Sequence, residues 1–311
     1  MTEARATREG YAEALLEMGA EYPNVVVLDS DLSKSTGSHK FSREYPDRFF
    51  NCGVAEQSMI GTAAGLAACG KIAYTGSFAV FATGRAFEQI RNTVAYCALE
   101  VKICPSHAGI TVGPDGGSHQ SVEDIALMRV LPNMKVIVPS DFVEAKAAVK
   151  AARTIQGSVY IRLGRPKMPI INDADYEFEI GKARVLRVGG DITILAIGIM
   201  VHEALAAAES LTADGVEAEV INVSTVKPLD EATILSSTAK TGRVVTAEEH
   251  SVIGGLGGAV AELLAEKAPT PLRRVGIEDL FGLSGEVDEL KKHFKLTAED
   301  IHRRSVELVN L

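Results

Sequence analysis

The sequence predicts an α/β protein built from two parallel-type sheets, each covered by helices and each in its own domain. The chain has 311 residues, which at roughly 100–200 residues per domain favours two domains. In both halves, short apolar runs alternate with helical patterns, as in proteins whose strands run parallel. A proline-bearing, irregular stretch from Gly164 to about Ile180 separates the halves. We therefore expect one domain at 1–175 and a second at 176–311.

The first half begins with an amphipathic helix over 8–20, followed by the apolar run 24–28. That run ends at Asp29, which is typical of a buried strand whose carboxyl end meets a loop. Further strands are predicted at 72–74, 101–104, 136–138 and 159–163. Further helices are predicted at 53–68, 80–98, 121–129 and 143–153.

The second half repeats the alternation in a smaller unit. Its strands are predicted at 192–197, 217–222, 243–247 and 273–277. Its helices are predicted at about 202–213, 231–239, 255–267, 285–293 and 297–309. Ligands of open parallel sheets bind beyond the carboxyl ends of the strands. The candidate binding loops therefore follow the predicted strand ends at Leu28, Tyr74, Cys104 and Leu163.

Composition weighs against several classes of partner. The net charge of -9, without a basic tract, disfavours nucleic acid or an anionic membrane as the main partner. No apolar run approaches the roughly 20 residues of a membrane span. The charged N-terminus lacks the apolar segment of a signal peptide. The four cysteines form no CxxC pair and have no histidine at metal-ligand spacing, so we expect reduced thiols in a cytoplasmic protein and no metal site in this chain.

Glu56 is the first candidate for chemistry, in the string GVAEQ at a predicted junction between a loop and a helix. A carboxylate in the first turn of a helix is usually a partner of the helix dipole. The functional alternative is a buried acid that holds a proton for a ligand nitrogen. The string alone leaves both interpretations open.

A glycine-rich segment at 106–119, called the histidine loop below, holds His107, Asp115 and His119. It could be a turn with incidental polar residues. Catalysis gives a specific reason for the arrangement, because histidine titrates near neutrality and glycines let the backbone approach a polar ligand closely.

Two other groups are ambiguous by spacing. Phe78 and Phe81 are three residues apart, a pattern that is more often core packing than a ligand platform. Four scattered residues could bind an anion although no spacing rule links them, namely Arg8, Ser35, His107 and Arg165.

Taken together, several strings resemble the C-terminal half of transketolase, over essentially the whole chain. The strings are GVAEQ at 53–57, TGSFAVF at 75–81, HAGITVGPDGGSHQSVE at 107–123, LPNMKVIVPSD at 131–141 and FGLSGEVDELKKHFKLTAEDI at 281–301. The resemblance implies a pyrimidine-binding domain, a C-terminal domain and transfer of a two-carbon ketol unit from a ketose such as xylulose 5-phosphate to an aldose such as ribose 5-phosphate.

The resemblance also implies roles in binding thiamine diphosphate. Glu56 matches the glutamate that hydrogen-bonds N1′ of the aminopyrimidine and activates the cofactor. Phe78 and Phe81 match the aromatic residues around that ring. Gly84 stands where transketolases commonly carry a tyrosine. Asp31 lies in the matching segment DLSKST and is implied to belong to the site.

Substrate roles follow in the same way. His119 matches the histidine near the reactive oxygens of the donor ketose, and Asp115 matches the aspartate that contacts a substrate hydroxyl. The implied phosphate ligands are the four scattered residues, Arg8, Ser35, His107 and Arg165, since guanidinium groups suit a phosphate dianion.

No GDG string occurs in the chain, although the family anchors its diphosphate through a divalent metal bound by that motif. The resemblance therefore implies that a separate N-terminal subunit binds Mg²⁺ or Ca²⁺ and completes the site. A dimer of such heterodimers, α2β2, is the expected assembly.

Three alternatives stay open. Half of a 1-deoxyxylulose-5-phosphate synthase would share GVAEQ but carry Arg in place of His107. The β subunit of a 2-oxo-acid dehydrogenase would usually place Gln before the loop histidine, whereas Gln120 follows His119 here. A non-enzymatic protein on a degenerate enzyme fold is disfavoured by the intact Glu56, Asp115 and His119.

Overall fold

The structure is a computed structural model that describes residues 3–311. Its strands are β1 Ala4–Ala6, β2 Val25–Asp29, β3 Phe49–Asn51, β4 Ile72–Gly76, β5 Val101–Ile103, β6 Lys135–Ile137, β7 Val159–Ile161, β8 Lys167–Pro169, β9 Arg184–Arg187, β10 Ile192–Ala196, β11 Ala218–Asn222, β12 Thr225–Lys227, β13 Val244–Ser251 and β14 Leu272–Ile277. Its α-helices are α1 Thr7–Glu21, α2 Ser33–Thr36, α3 His39–Glu44, α4 Glu56–Ala68, α5 Asp124–Arg129, α6 Phe142–Ala152, α7 Met200–Ala213, α8 Glu231–Thr241, α9 Leu256–Lys267, α10 Val287–His293 and α11 Ala298–Val309. The order of the elements confirms the predicted α/β class.

The first half forms most of a seven-stranded sheet with the order β12-β6-β7-β5-β4-β2-β3. All neighbouring strands from β6 to β3 are parallel. The edge strand β12 comes from the second half and pairs antiparallel with β6, with Thr225 opposite Ile137. No sequence pattern predicted this strand. Because the two halves share a sheet, the division at residue 175 stays a prediction.

Strand β2 shows why helices cover both faces of this sheet. Val25 and Val27 pack in the same core cluster as Leu15 of α1, whereas Val26 and Leu28 pack in the cluster that holds Ile60 of α4. Successive side chains of a strand point to opposite faces, so an uninterrupted apolar run needs cover on both sides. The carboxyl ends of β2, β4, β5 and β7 then meet at one edge, where the predicted binding loops begin.

The second half contains a five-stranded sheet with the order β14-β13-β10-β11-β9. Strands β10, β11, β13 and β14 are parallel and confirm the four predicted strands. Strand β9 joins antiparallel to β11 at the edge and was missed. Helix α7 and helix α11 pack on the same core cluster as β10.

The predicted helix 80–98 is wrong as a single α-helix. The structure has two π-helical segments, Phe81–Arg85 and Gln89–Ala95. Gly84 weakens the helix because glycine has a low helix propensity. The Thr83 hydroxyl donates to the backbone carbonyl of Ala79 over 2.7 Å. Widened turns of this kind are frequently found at functional sites.

Buried polar contacts join the two halves. Arg162, at the end of β7, pairs through Nε with Oδ2 of Asp124 at 2.8 Å and donates from Nη2 to the backbone oxygen of Glu249 on β13 at 2.9 Å. Asn222 of β11 donates to Oε2 of Glu144 at 2.9 Å. These buried groups satisfy one another's hydrogen-bonding capacity in the absence of water. The contacts therefore fix the second half against the carboxyl ends of the strands of the first half. Over residues 3–311, none of the helices has the length and apolar character that crossing a membrane requires.

Candidate active site

Glu56 is the first residue of α4, and its side chain is only 1 % exposed. Its Oε1 lies 3.3 Å from the hydroxyl of Ser30 and 3.4 Å from the hydroxyl of Ser77, which themselves lie 2.8 Å apart. Ser30 follows β2 and Ser77 follows β4, so two strand ends hold one oxygen of the carboxylate. Glu56 is therefore turned into the protein at the sheet edge, which a surface partner of the helix dipole would not be. Neither serine was predicted from the sequence.

The other carboxylate oxygen contacts an arginine that was likewise not predicted from the sequence. Arg85 Nη1 lies 2.7 Å from Glu56 Oε2, and the Arg85 Cζ lies 4.6 Å from the centroid of the Phe81 ring. The four-residue separation of Phe81 and Arg85 was the available signal, because residues four apart share a helix face. Arg85 is nearly half exposed, so the site opens to solvent on this side.

Phe78 and Phe81 form an aromatic face next to both histidines of the histidine loop. Their rings stack with centroids 6.0 Å apart. His107 stacks on Phe78 with a centroid distance of 3.9 Å, and His119 meets the Phe81 ring edge-on at 5.3 Å. The structure thus brings together four of the predicted residues, from the segments that follow the neighbouring strands β4 and β5.

His107 is a neutral group in this arrangement. Burial, together with the guanidinium groups of Arg8 and Arg165 and with His119, lowers the pKa of His107 to about 3. Its Nδ1 lies 2.8 Å from the Ser106 hydroxyl, which leaves Nε2 as the position for a donated N–H when that hydroxyl donates. The backbone of His107 has φ 58°, in the left-handed region that is strained for a residue with a Cβ.

The predicted anion ligands lie together beside His107. Arg8 Nη1 donates to the backbone oxygen of Ser35 at 2.7 Å, and the partly buried Arg8 has its pKa lowered by burial and by the nearby Arg165. Arg165 Nη1 donates to the backbone oxygen of Val112 at 2.5 Å and lies 3.5 Å from Oδ2 of Asp115. Two guanidinium groups that repel each other this way form a local positive site in an acidic protein, which suits an anion.

Asp31 does not join the cluster around Glu56. It is exposed, has φ 65°, and accepts a hydrogen bond from Asn51 Nδ2 at 3.0 Å. The buried acid of this segment is Asp29, whose Oδ2 accepts from the hydroxyls of Thr36 and Ser38, both at 2.9 Å. Burial raises the pKa of Asp29 to about 6. Asp29 holds the turn that carries Ser35.

The second half holds the histidine loop in place. Glu249 on β13 accepts the backbone N–H of Thr111 at 2.7 Å, and a side chain on Gly109 would overlap the Glu249 carboxylate. Gln120 donates to the backbone oxygens of Ile110 and of Leu283, the latter at 2.8 Å. The loop is therefore clamped between the two halves, so its position depends on both.

Comparison with known proteins agrees with this geometry. The pattern of the family described as transketolase, pyrimidine binding domain, matches residues 3–170, and that of transketolase, C-terminal domain, matches residues 181–301. The chain therefore belongs to the transketolase family and corresponds to those two domains, which confirms the resemblance that the sequence motifs indicated.

Similar proteins cover nearly the whole chain. A protein described as a transketolase C-terminal section, from Methanocaldococcus jannaschii, is 51% identical over 306 residues, covering 97% of this chain and 96% of its own. A 6-deoxy-6-sulfo-D-fructose transketolase subunit from a Clostridium species is 50% identical over 301 residues, covering 97% and 94%. Among solved structures, a split gene transketolase described as an inactive β4 tetramer superimposes with a TM-score of 0.92 at 50% identity, covering 98% of this chain and 99% of that one.

Proposed function

We propose that this chain is the C-terminal subunit of a thiamine-diphosphate-dependent transketolase that transfers a two-carbon ketol unit from a ketose phosphate to an aldose phosphate. The single observation that carries the proposal is the side-by-side placement of the buried Glu56 carboxylate, the Phe78–Phe81 face and His119. The similarity to transketolase sections and subunits supports it.

The residues present fit the aminopyrimidine end of the cofactor. Glu56 Oε1 is held by two hydroxyls, and Oε2 contacts the Arg85 guanidinium, which lies over the Phe81 ring. A pyrimidine ring in the place of that guanidinium would lie on Phe81 with Glu56 holding a proton at its N1′. A Cβ at Gly84 would meet no heavy atom within 4 Å, so the side where many family members carry a tyrosine is open in this chain. When bound, thiamine diphosphate supplies the nucleophilic carbon that accepts the ketol unit.

His119 and Asp115 would orient the reacting end of the sugar. His119 is half-buried at the edge of the Phe81 ring, with Nδ1 3.0 Å from the Ser118 hydroxyl, so Nε2 remains for a substrate oxygen. Asp115 is exposed beside Arg165 and would accept from a sugar hydroxyl. We keep Asp31 as a proposed contact at the rim of the site, on the strength of the resemblance alone.

The anionic tail of the substrate would lie between Arg8 and Arg165, with Ser35 and the neutral His107 as hydrogen-bonding neighbours. A neutral imidazole can donate one N–H hydrogen bond to an anion, and the two guanidinium groups supply the positive charge. Phosphate is the proposed group, with xylulose 5-phosphate as donor and ribose 5-phosphate as acceptor. One relative carries the name of a sulfosugar transketolase subunit, so a sulfonate tail is the second candidate.

A partner subunit would supply what this chain lacks. Within residues 3–311, no group of three or more His, Cys, Asp or Glu side chains is arranged to hold a metal ion. Val54, two residues before Glu56, is 75 % exposed, which supports a covering chain on this side. We therefore propose an N-terminal subunit that binds the diphosphate through Mg²⁺ or Ca²⁺, an α2β2 assembly, a cytoplasmic location and a role in the pentose phosphate pathway.

The test combines this chain with an N-terminal transketolase section, thiamine diphosphate and Mg²⁺, and then adds xylulose 5-phosphate and ribose 5-phosphate. Formation of glyceraldehyde 3-phosphate supports the proposal. A parallel reaction with 6-deoxy-6-sulfo-D-fructose as donor compares the sulfonate tail with the phosphate tail. Pyruvate-dependent turnover without ketol transfer would instead favour 1-deoxyxylulose-5-phosphate synthase or a 2-oxo-acid dehydrogenase.

A further inference from the structure

Arg85 occupies the side of the site where the pyrimidine ring is proposed to bind. Its guanidinium donates to Glu56 Oε2 over 2.7 Å while its Cζ lies 4.6 Å above the Phe81 ring. A guanidinium is flat, donates in its own plane and stacks on aromatic faces. An aminopyrimidine bound to Glu56 and Phe81 would need the same oxygen and the same aromatic face. The two flat groups cannot occupy that space together.

The contact also has a clear role when no ligand is bound. Glu56 is 1 % exposed, and a buried carboxylate without a charged or hydrogen-bonding partner is costly. Ser30 and Ser77 reach Oε1, whereas Arg85 is the partner of Oε2. In the isolated chain, Arg85 thus supplies the partner that the second carboxylate oxygen of Glu56 needs.

The surroundings of Arg85 let its side chain leave without moving the backbone. Gln57 Nε2 donates to the backbone oxygen of Arg85 at 3.1 Å, which anchors the main chain to α4. The side chain is 47 % exposed, and the space beside Gly84 is open. A rotation of the side chain toward solvent therefore frees Glu56 Oε2 while the π-helical segment Phe81–Arg85 stays in place.

We propose that Arg85 is a positioning residue that fills the pyrimidine slot of the cofactor-free subunit, holds Glu56 in place and is displaced when the cofactor binds. This inference rests on the proposed function. It follows that cofactor binding must break the pair between Arg85 and Glu56, so the arginine weakens cofactor affinity while it stabilises the empty site.

Calorimetric titration of the two-subunit complex with thiamine diphosphate and Mg²⁺ tests this inference. In Arg85→Ala the cofactor Kd should fall about tenfold, since a hydrogen bond between charged groups contributes at least about this factor. In the Glu56→Gln background the same substitution should change Kd by less than about twofold, because the charge pair is already broken. Arg85→Lys, which keeps the charge but loses the flat group, should fall between wild type and Arg85→Ala.

Thermal unfolding gives a readout that is independent of turnover. The Tm of the cofactor-free Arg85→Ala chain should fall by about 2 °C, whereas the Tm of the cofactor-loaded complex should not fall. A merely structural arginine would lower both values.

The outcomes separate this inference from the proposed function. Unchanged or weaker cofactor binding by Arg85→Ala, in a complex whose wild type binds and turns over, would overturn the role of Arg85 and leave the transketolase proposal standing. Absence of cofactor binding by every complex, wild type included, would overturn both.

Discussion

Replacing Glu249 with alanine should loosen the histidine loop and weaken substrate binding, although Glu249 itself lies in the second half, behind the site. The Glu249 side chain is 4 % exposed, and its Oε1 accepts the backbone N–H of Thr111 at 2.7 Å. Its Oε2 lies 3.8 Å from Nη1 of Arg162. Arg162 keeps Asp124 as a partner at 2.8 Å, so the substitution does not leave the guanidinium alone.

The size of the effect follows from these contacts. A hydrogen bond to a charged group contributes about 1.5–3 kcal/mol, and the loss of the buried Cγ methylene adds about 0.8 kcal/mol. The free energy of unfolding should therefore fall by about 2–4 kcal/mol in Glu249→Ala. Glu249→Gln retains an oxygen for Thr111 and loses only the attraction to Arg162, so about 1 kcal/mol is expected.

Denaturant unfolding of both variants, extrapolated linearly to water, measures the free energies. Steady-state kinetics of the two-subunit complex would give the KM for the ketose phosphate, which we expect to rise in Glu249→Ala and to stay near wild type in Glu249→Gln. Equal destabilisation by the two substitutions would refute the assigned hydrogen bond. A destabilised alanine variant with unchanged KM would refute the link between Glu249 and the loop.

The remaining predictions concern three other residues. Glu56→Ala should reduce turnover by about 10²-fold or more while circular dichroism shows an intact fold, because only the proton-holding group is lost; near-normal turnover would contradict its role. Arg165→Ala should raise KM for phosphorylated sugars about tenfold with little change in kcat, and a pure kcat loss would count against an anion contact. Burial raises the pKa of Asp29 from 3.8 to about 6, so the folded chain binds this proton more tightly and loses about 3 kcal/mol of stability as pH rises from about 4 to above 6. Asp29→Asn should remove that loss, which chemical denaturation at pH 4 and pH 7 would detect. If the free energy of unfolding depended on pH in the same way in the wild type and the variant, Asp29 would not be the group responsible.

The strands that build the site were predictable because their sequences are short, mostly apolar runs. Strands β2, β4, β5 and β7 need to be covered by helices on both faces of the sheet, and their local sequences already indicate this burial. The short strands β1, β8 and β12 carry no such pattern. They are strands because a neighbouring edge supplies hydrogen-bond partners, and β12 crosses from one half of the chain to the other to find one.

The candidate site divides in a similar way. Dense motifs contain six of the candidates, and the resemblance identifies each of them from the sequence: Glu56, Phe78, Phe81, His107, Asp115 and His119. Arg85, Ser30 and Ser77 had no motif to mark them. Their importance comes from distances to the Glu56 carboxylate, which depend on how α4 meets the ends of β2 and β4.

By itself, the sequence determined the α/β class, the order of the principal elements and the family, because apolar periodicity and dense motifs are local properties of the chain. Only the tertiary structure decided that His107 is neutral, that Asp31 is exposed, and that Arg85 lies on Phe81 against Glu56. The physical reason is that burial, charge and contact depend on residues far apart in the chain. Folding brings those residues together, and the spacing of residues along the sequence does not show which of them come into contact.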